Sequence, residues 1–218
     1  MKSTLFKFFS YLFPKVKKTV YSEINGDIEI TWQNGKKVLN TQNANYSYGN
    51  LHKVMQFGLR KVNLTDISQV LLLGLGGGSA IKILRETFQY KNQITAVEID
   101  PEVITLAKEE FGICEGETTS IICQDALAYV HNETTKYDLI IIDIFIDILV
   151  PDEFYTLHFW ERISALTQKE GSVVFNAGMN NRLDSKLNKI IAHLPEFSFS
   201  RDYNIAGYNT ILIGVKNK

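Results

Sequence analysis

A chain of 218 residues, 45% of them apolar, is long enough for a substantial core and one appended lobe. Its 23 basic and 24 acidic residues leave a net charge of −1, which excludes a global field that would gather nucleic acid. Cys114 and Cys123 stand in unlike surroundings and read as free thiols of a reducing compartment, with a disulfide between them as the alternative.

The first twenty residues, MKSTLFKFFSYLFPKVKKTV, hold five lysines, no acid and four phenylalanines. Lys7 interrupts the apolar run and no small-residue cleavage site follows, so this is not a signal peptide; it is also too short and charged to span a bilayer. It reads as a short amphipathic helix (Leu5, Phe8, Phe9, Leu12) packed on the body or on a second subunit, stopped or kinked by Pro14. Weak attachment to a membrane surface is the alternative. The cytoplasm is the expected location.

Residues 21–42 carry two turn signals, Asn25-Gly26 and Asn34-Gly35, around an alternating segment that puts Ile28, Ile30 and Trp32 on one face. That is the pattern of a small antiparallel meander. NANYSYG (43–49) reads as a loop, and LHKVMQFGLRKV as a helix with Leu51, Val54, Met55 and Leu59 inward. His52 is either a packed helical histidine or, with Tyr46 and Tyr48, a group standing over the next strand's carboxyl end.

The centre of the chain is QVLLLGLGGGSAIKILRETFQYKNQITAVEID (69–100). An apolar strand, a glycine turn (Gly74, Gly76, Gly77, Gly78), a helix with Ala80, Ile83, Leu84 and Phe88 on one face, and a second strand ending at Glu98 make a β-α-β unit. Glycine at that junction lets the backbone turn sharply and approach a ligand. An acid at the second strand's tip is placed to hold ribose hydroxyls, so the unit predicts a nucleoside.

Asp100 caps the next helix and Pro101 suits its first turn; the helix is expected to end near Gly112. Asp125 follows the strand Ser120–Cys123, where it can cap the short helix from Ala126 and also accept from an adenine amino group. YDLIII (137–142) is the most apolar strand and must be central, with Asp143 at its end and Asp147 four residues on. Asp143 is a general base, a ligand-orienting group or a cap. Glu98, Asp125 and Asp143 end successive strands and should converge on one crevice. A helix follows over 152–168, with Phe154, Leu157, Trp160 and Leu166 inward, then a strand over 172–176 and a helix over 183–194. The last two strands are separated by a short loop and must be antiparallel, which points away from NAD-dependent dehydrogenases.

LLLGLGGGSA, TAVEIDPEV, CQDALAYV and YDLIIID together resemble the spermidine synthase (polyamine aminopropyltransferase) family, a variant of the S-adenosylmethionine-dependent methyltransferase fold. The resemblance runs from about Tyr21 to the C-terminus. It implies an α/β fold, a mostly parallel seven-stranded sheet of the class I methyltransferase type with an antiparallel C-terminal pair, preceded by a small β-meander. Residues 1–20 would be the basic segment, 21–65 the β-rich region and linking helix, and 66–218 the nucleoside-binding domain.

By the same resemblance the donor substrate is S-adenosylmethionine or its decarboxylated form, and no metal is expected. Gly74, Gly76, Gly77 and Gly78 would line the donor loop, Glu98 would bind the ribose, and Ile99, Asp125 and Ala126 would surround the adenine. Asp143 and Asp147 would be catalytic, and Tyr48, His52 and Asp143 would meet a small-molecule acceptor. Aminopropyl transfer to an amine, methyl transfer to a small molecule, and nucleoside binding without chemistry all fit. A homodimer is implied, without nucleic acid or stable membrane insertion.

Two departures bear on the substrate. Synthases of the family carry GGGDG where Gly77 stands here, and a DSSDP-type sequence where this chain reads DIFID. Ile144, Phe145, Ile146, Ile148 and Leu149 do not make the anionic groove that a diamine or triamine needs, which argues against classical spermidine synthesis.

Overall fold

The computed structural model describes residues 7–41, 45–47, 50–146, 148–179 and 184–218. Four antiparallel strands come first, β1 (Lys15–Ser22), β2 (Gly26–Gln33), β3 (Lys36–Asn40) and β4 (Asn45–Ser47), paired in that order. Both Asn-Gly signals form turns, with Gly26, Asn34 and Gly35 at positive φ (66°, 49° and 73°). The sheet starts earlier than the alternation suggests, because Lys15–Val20 pair with β2 rather than continuing a helix. The expected loop over 43–49 contributes β4.

Of the expected amphipathic N-terminal helix, the described part is helical at residues 7–9 and turns at residues 10–12. Its apolar side chains do not pack on the body: Phe8, Leu12 and Phe13 are 71%, 68% and 75% exposed. The segment is fastened instead through Ser10, whose Oγ accepts from Gly35 N (2.9 Å) and whose carbonyl accepts from Asn34 N (3.0 Å). Leu5 lies outside the described residues.

After α1 (Asn50–Arg60) the main sheet is built from β5 (Gln69–Leu73), β6 (Gln93–Glu98), β7 (Thr119–Cys123), β8 (Tyr137–Ile142), β9 (Thr167–Met179), β10 (Phe197–Ile205) and β11 (Asn209–Lys216). Its order is β10-β11-β9-β8-β5-β6-β7, parallel from β9 to β7 and antiparallel at β11 with both neighbours. Connecting helices are α2 (Ser79–Lys82, continuing as a π-turn through Thr87), α3 (Pro101–Phe111), α4 (Ala126–Asn132), α5 (Leu157–Leu166) and α6 (Asp184–His193).

The near-continuous apolar strands reflect burial on both faces. Val70 and Leu72 of β5 and Leu139 and Ile141 of β8 join Ile28, Ile30, Val54, Met55, Leu59 and Ile83 in one cluster. Leu71, Leu73, Ile140 and Ile142, their alternate neighbours, join Trp160, Phe175, Leu187 and Ile190 in the other. Trp160 is fully buried and donates from Nε1 to Phe154 O (3.0 Å).

The single helix expected over 152–168 is split. Thr156 adopts extended geometry and its hydroxyl accepts from Phe159 N, so a 3-10 turn (Asp152–Tyr155) precedes α5. Leu157 therefore falls in a first turn and is 37% exposed rather than inward. Helix α6 starts at Asp184; Leu183 lies outside the described residues.

The small sheet is held to the large one by buried polar contacts. Asp100 caps α3, its Oδ1 accepting from Glu102 N (2.8 Å) and Val103 N (3.4 Å). Its other oxygen accepts from Ser22 Oγ and Asn25 Nδ2, both at 2.5 Å. Ser22 Oγ in turn accepts from Ile24 N and Asn25 N at 3.0 Å. Outside this clamp, Lys37 and Lys17 pair with Glu110 of α3. Replacing Ser22 by Ala leaves a buried carboxylate oxygen and two turn amides short of a partner, and should cost roughly 1–3 kcal/mol. Urea denaturation checks this, and an unchanged midpoint would remove the clamp from the account of stability.

Candidate active site

The strand ends form one cavity of about 370 Å³ along the carboxyl edge of the parallel strands. Glu98, Asp125 and Asp143 all line it, as their positions at the ends of β6, β7 and β8 require. One half lies over β5, β6 and β7, bounded by Gly74, Gly76, Glu98, Ile99, Asp125 and Ala126. The other lies over β8, β9 and β11, bounded by Asp143, Phe145, Ile148, Met179, Tyr208 and Asn209.

Glycine is needed at position 74 for two reasons. Its φ is +92°, and a Cβ there would stand 2.3 Å from the carbonyl oxygen of Asp143. Gly78, at φ +76°, has a packing role: its Cβ would meet Ile113 Cγ1 at 2.3 Å. Gly77 and Gly78 are not among the residues that line the cavity, whereas Gly74 and Gly76 are.

The Glu98 carboxylate is fixed by main-chain amides. Oε2 accepts from Leu75 N (3.0 Å) and Gly76 N (3.2 Å), and Oε1 from Ile99 N (3.0 Å) and Asp100 N (3.1 Å). Burial raises its pKa, and the amides of Asp100, Gly76 and Leu75 oppose the rise. This side chain therefore ties the glycine turn to the start of α3. Asp125 caps α4, accepting from Ala128 N at 2.8 Å, and faces the cavity as well.

Asp143 is partly exposed to the cavity, and burial pushes its pKa up from 3.8 to about 6. Its Oδ1 accepts from Asn176 Nδ2 (2.9 Å), whose own Oδ1 accepts from Asn209 Nδ2 (3.0 Å) and Gly178 N (3.3 Å). Asn176 and Asn209 are 1% and 6% exposed, a buried amide chain that orients the carboxylate.

His52 is absent from the described residues lining this cavity. Burial lowers its pKa, and Lys36 adds to that while Glu86 opposes it, which places it among charged groups of β3 and α2. Tyr48 and Asp147 lie outside the described residues. Cys114 and Cys123 are free and exposed.

Several cavity residues escaped the sequence pattern. Ile24 and Asn25 enter from the β1–β2 turn, Tyr208 and Asn209 from the β10–β11 turn. Asn176, which orients Asp143 without lining the cavity, is polar in the apolar half of β9, but nothing in the sequence names its partner. Ser79 carried a usable signal: its hydroxyl, beside the glycine turn, is buried without a hydrogen-bond partner among the described residues and borders the cavity.

The model of the spermine/spermidine synthase domain matches residues 52–210. The chain belongs to the spermine/spermidine synthase domain family. A polyamine aminopropyltransferase of Saccharolobus islandicus (strain Y.N.15.51 / Yellowstone #2) is 33% identical over 117 residues, 50% of this chain. That match spans 38% of the relative's length, so the chain corresponds to well under two thirds of it. Among solved structures, a probable spermidine synthase from Corynebacterium glutamicum superposes with a TM-score of 0.67 at 20% identity, over 92% of this chain and 79% of that one. Human methyltransferase-like protein 13 in complex with SAH gives 0.64 at 24% identity, over 78% and 83%. These two likenesses show the fold alone.

The cavity's volume falls in the range of small-molecule sites, apolar walls flank the strand ends, and the Ser79 hydroxyl borders it without a hydrogen-bond partner among the described residues. Among the described residues no group of three His, Cys, Asp or Glu side chains is placed to hold a metal ion. The raised pKa of Asp143 has a consequence for stability. Between about pH 4 and 6 the folded state holds a proton that the unfolded chain has lost, so this group lowers stability as pH rises through that window. Asp143→Asn, which can still accept from Asn176, should be more stable than the parent above pH 6 by roughly 1–3 kcal/mol and equal to it below pH 4. Thermal unfolding of both proteins across that range measures the difference.

Proposed function

We propose that this chain is a spermidine-synthase-like transferase that binds S-adenosylmethionine or its decarboxylated form and moves an aminopropyl group to an amine acceptor. The observation that carries this reading is the single cavity shared by Glu98, Asp125 and Asp143, with Asp143 oriented by Asn176. Family membership supports it.

On this reading Glu98 and Asp125 hold ribose and adenine, Ile99 and Ala126 flank the base, and Gly74, Gly76, Gly77 and Gly78 shape the loop around the donor's aliphatic end. The donor supplies a carbon attached to positive sulfur, which departs as a neutral thioether. Asp143 attracts the acceptor's ammonium and takes its proton, leaving a neutral nitrogen able to attack. A base with pKa near 6 is ionised at neutral pH and still accepts a proton readily. Asp147 and Tyr48 are assigned to the acceptor side, and His52, which does not line the cavity, is left without a role there. The protein is taken to be a cytoplasmic homodimer acting on small molecules.

Methyl transfer is the second reading, and one feature favours it. Gly77 replaces the loop acid of the synthases, so the donor's far end meets main-chain amides rather than a carboxylate, which suits a donor that keeps its own carboxylate.

Calorimetric titration with both donors should give heat with at least one, and the tighter of the two identifies the transferred group. Silence from both would sink the enzyme reading. Once turnover is measured, Asp143→Asn should lower it by about 10²–10⁴. The parent's kcat/KM should fall roughly tenfold per unit as pH drops below about 6 and be flat above it.

A further inference from the structure

The small sheet has two ends with different surroundings. At one, the β1–β2 turn gives Ile24 and Asn25 to the cavity. At the other, β1 starts at Lys15, β2 ends at Gln33 and β3 starts at Lys36, with Lys15 opposite Trp32 and Gln33 opposite Lys36. β1 and β2 are eight residues long, so roughly 25 Å of strand lies between the two ends.

An apolar segment is mounted on the far end. Ser10 fixes residues 7–13 to the β2–β3 turn, and Tyr11 crosses that turn so closely that a Cβ on Gly35 would stand 2.2 Å from its phenol oxygen. Leu12 N and Phe13 N both donate to Phe9 O (3.0 and 3.2 Å), which folds the segment over its own middle. Polar contacts thus hold the backbone while the apolar side chains face water, Phe8, Leu12 and Phe13 most of all, then Tyr11 (63%), Val16 (49%) and Phe9 (46%). Ordered apolar side chains left open in one contiguous stretch mark a contact surface.

Charge narrows the choice of partner. Residues 7–22 contain Lys7, Lys15, Lys17 and Lys18 and no acid, and the start of β3 adds Lys36 and Lys37. Glu110 of α3 pairs with Lys17 and Lys37, and Glu109 with Lys18. Six lysines against these two glutamates leave this end positive. A second copy of the chain docked here about a twofold axis would set those lysines against their own counterparts. Single-stranded nucleic acid would stack on the rings but find no use for Leu12 and Val16. A bilayer with anionic headgroups suits both features, since its interface accepts aromatic and aliphatic side chains and its surface potential attracts lysines.

We propose that residues 7–16 attach this protein to the surface of an anionic phospholipid bilayer, with Phe8, Leu12 and Phe13 in the interface and the lysines at the headgroups. The segment is too short to cross, so the attachment is peripheral and reversible. Its placement keeps the β1–β2 turn, and the cavity that this turn walls, away from the bilayer.

The test sediments the full chain with vesicles of phosphatidylcholine, or of phosphatidylcholine with about one third phosphatidylglycerol, at ~0.1 M and ~0.5 M salt. Partitioning at the lower salt should be about tenfold or more greater on the anionic vesicles, and should fall about tenfold at the higher salt. The double change Leu12→Ser with Phe13→Ser should weaken attachment about tenfold or more while keeping its salt dependence. Phe8→Ser, on the other side of the Ser10 tether, repeats that test in case the double variant fails to fold. Lys7→Gln with Lys15→Gln should remove most of the preference for anionic vesicles. Absent binding, equal binding to the two vesicles, or apolar variants that bind like the parent would overturn the proposal. Tighter binding to poly(dT) than to the anionic vesicles would give the face to nucleic acid instead. Sedimentation velocity covers the remaining occupant: a dimer that the apolar variants dissociate, with vesicle binding retained, would make the face a subunit interface and overturn the proposal as well.

Discussion

The close approach of Gly74 to the carbonyl of Asp143 is the constraint on which the site depends. Two parallel strands end at the same level because their registers align, Leu73 against Ile142, and the chain leaves both ends toward the same space. Asp143 N donates to Leu73 O at 2.9 Å, and Gly74 N donates to Val97 O at 2.9 Å, so the Leu73–Gly74 peptide unit links three strand ends. A Cβ at position 74 would push β8's exit away and take the Asp143 side chain with it. The glycine serves the backbone of the candidate base directly.

The second organising feature is the pair of neighbouring carboxylates at the β6–α3 junction. Glu98 looks toward the glycine turn and Asp100 toward the small sheet, and each satisfies main-chain amides that would otherwise be orphaned in the interior. Asp100 also receives Ser22 and Asn25, which fixes the β1–β2 turn where Ile24 and Asn25 border the cavity. The N-terminal sheet is therefore part of the site's wall. Its residues Ile28, Ile30 and Leu39 share a core cluster with α1 and the main sheet, so the wall rests on apolar packing as well as on the clamp.

What could be read in the sequence was what period and position encode. Val70 to Leu73 and Tyr137 to Ile142 are apolar without interruption because helices cover both faces, and the acids that end them point where strand ends must point. The Asn-Gly turns and the Asp100 and Asp125 caps were legible because their chemistry is local. The missed features depend on partners distant in sequence. Asn176 reaches Asp143 across 33 positions and Ser22 reaches Asp100 across 78, and neither spacing leaves a mark in the chain. The N-terminal segment failed for another reason: Lys15–Val20 alternate weakly, and pairing with β2 decides their conformation where intrinsic preference does not. Thr156 was a local signal overlooked, since a threonine three residues before Phe159 is enough to restart a helix.

Burial and chemistry act on Asp143 through the same side chains. Apolar neighbours on the β8 exit exclude water from the carboxylate and raise its pKa, while Asn176 donates a hydrogen bond that opposes the rise. Placing a second carboxylate beside it would lift that pKa further by repulsion and add a binding point for another cation. Among the described residues, burial is what raises that pKa. The stability lost by holding an ionised carboxylate there is offset by the two-faced core beneath it, where β5 and β8 are fully buried from Val70 to Leu73 and from Leu139 to Ile142.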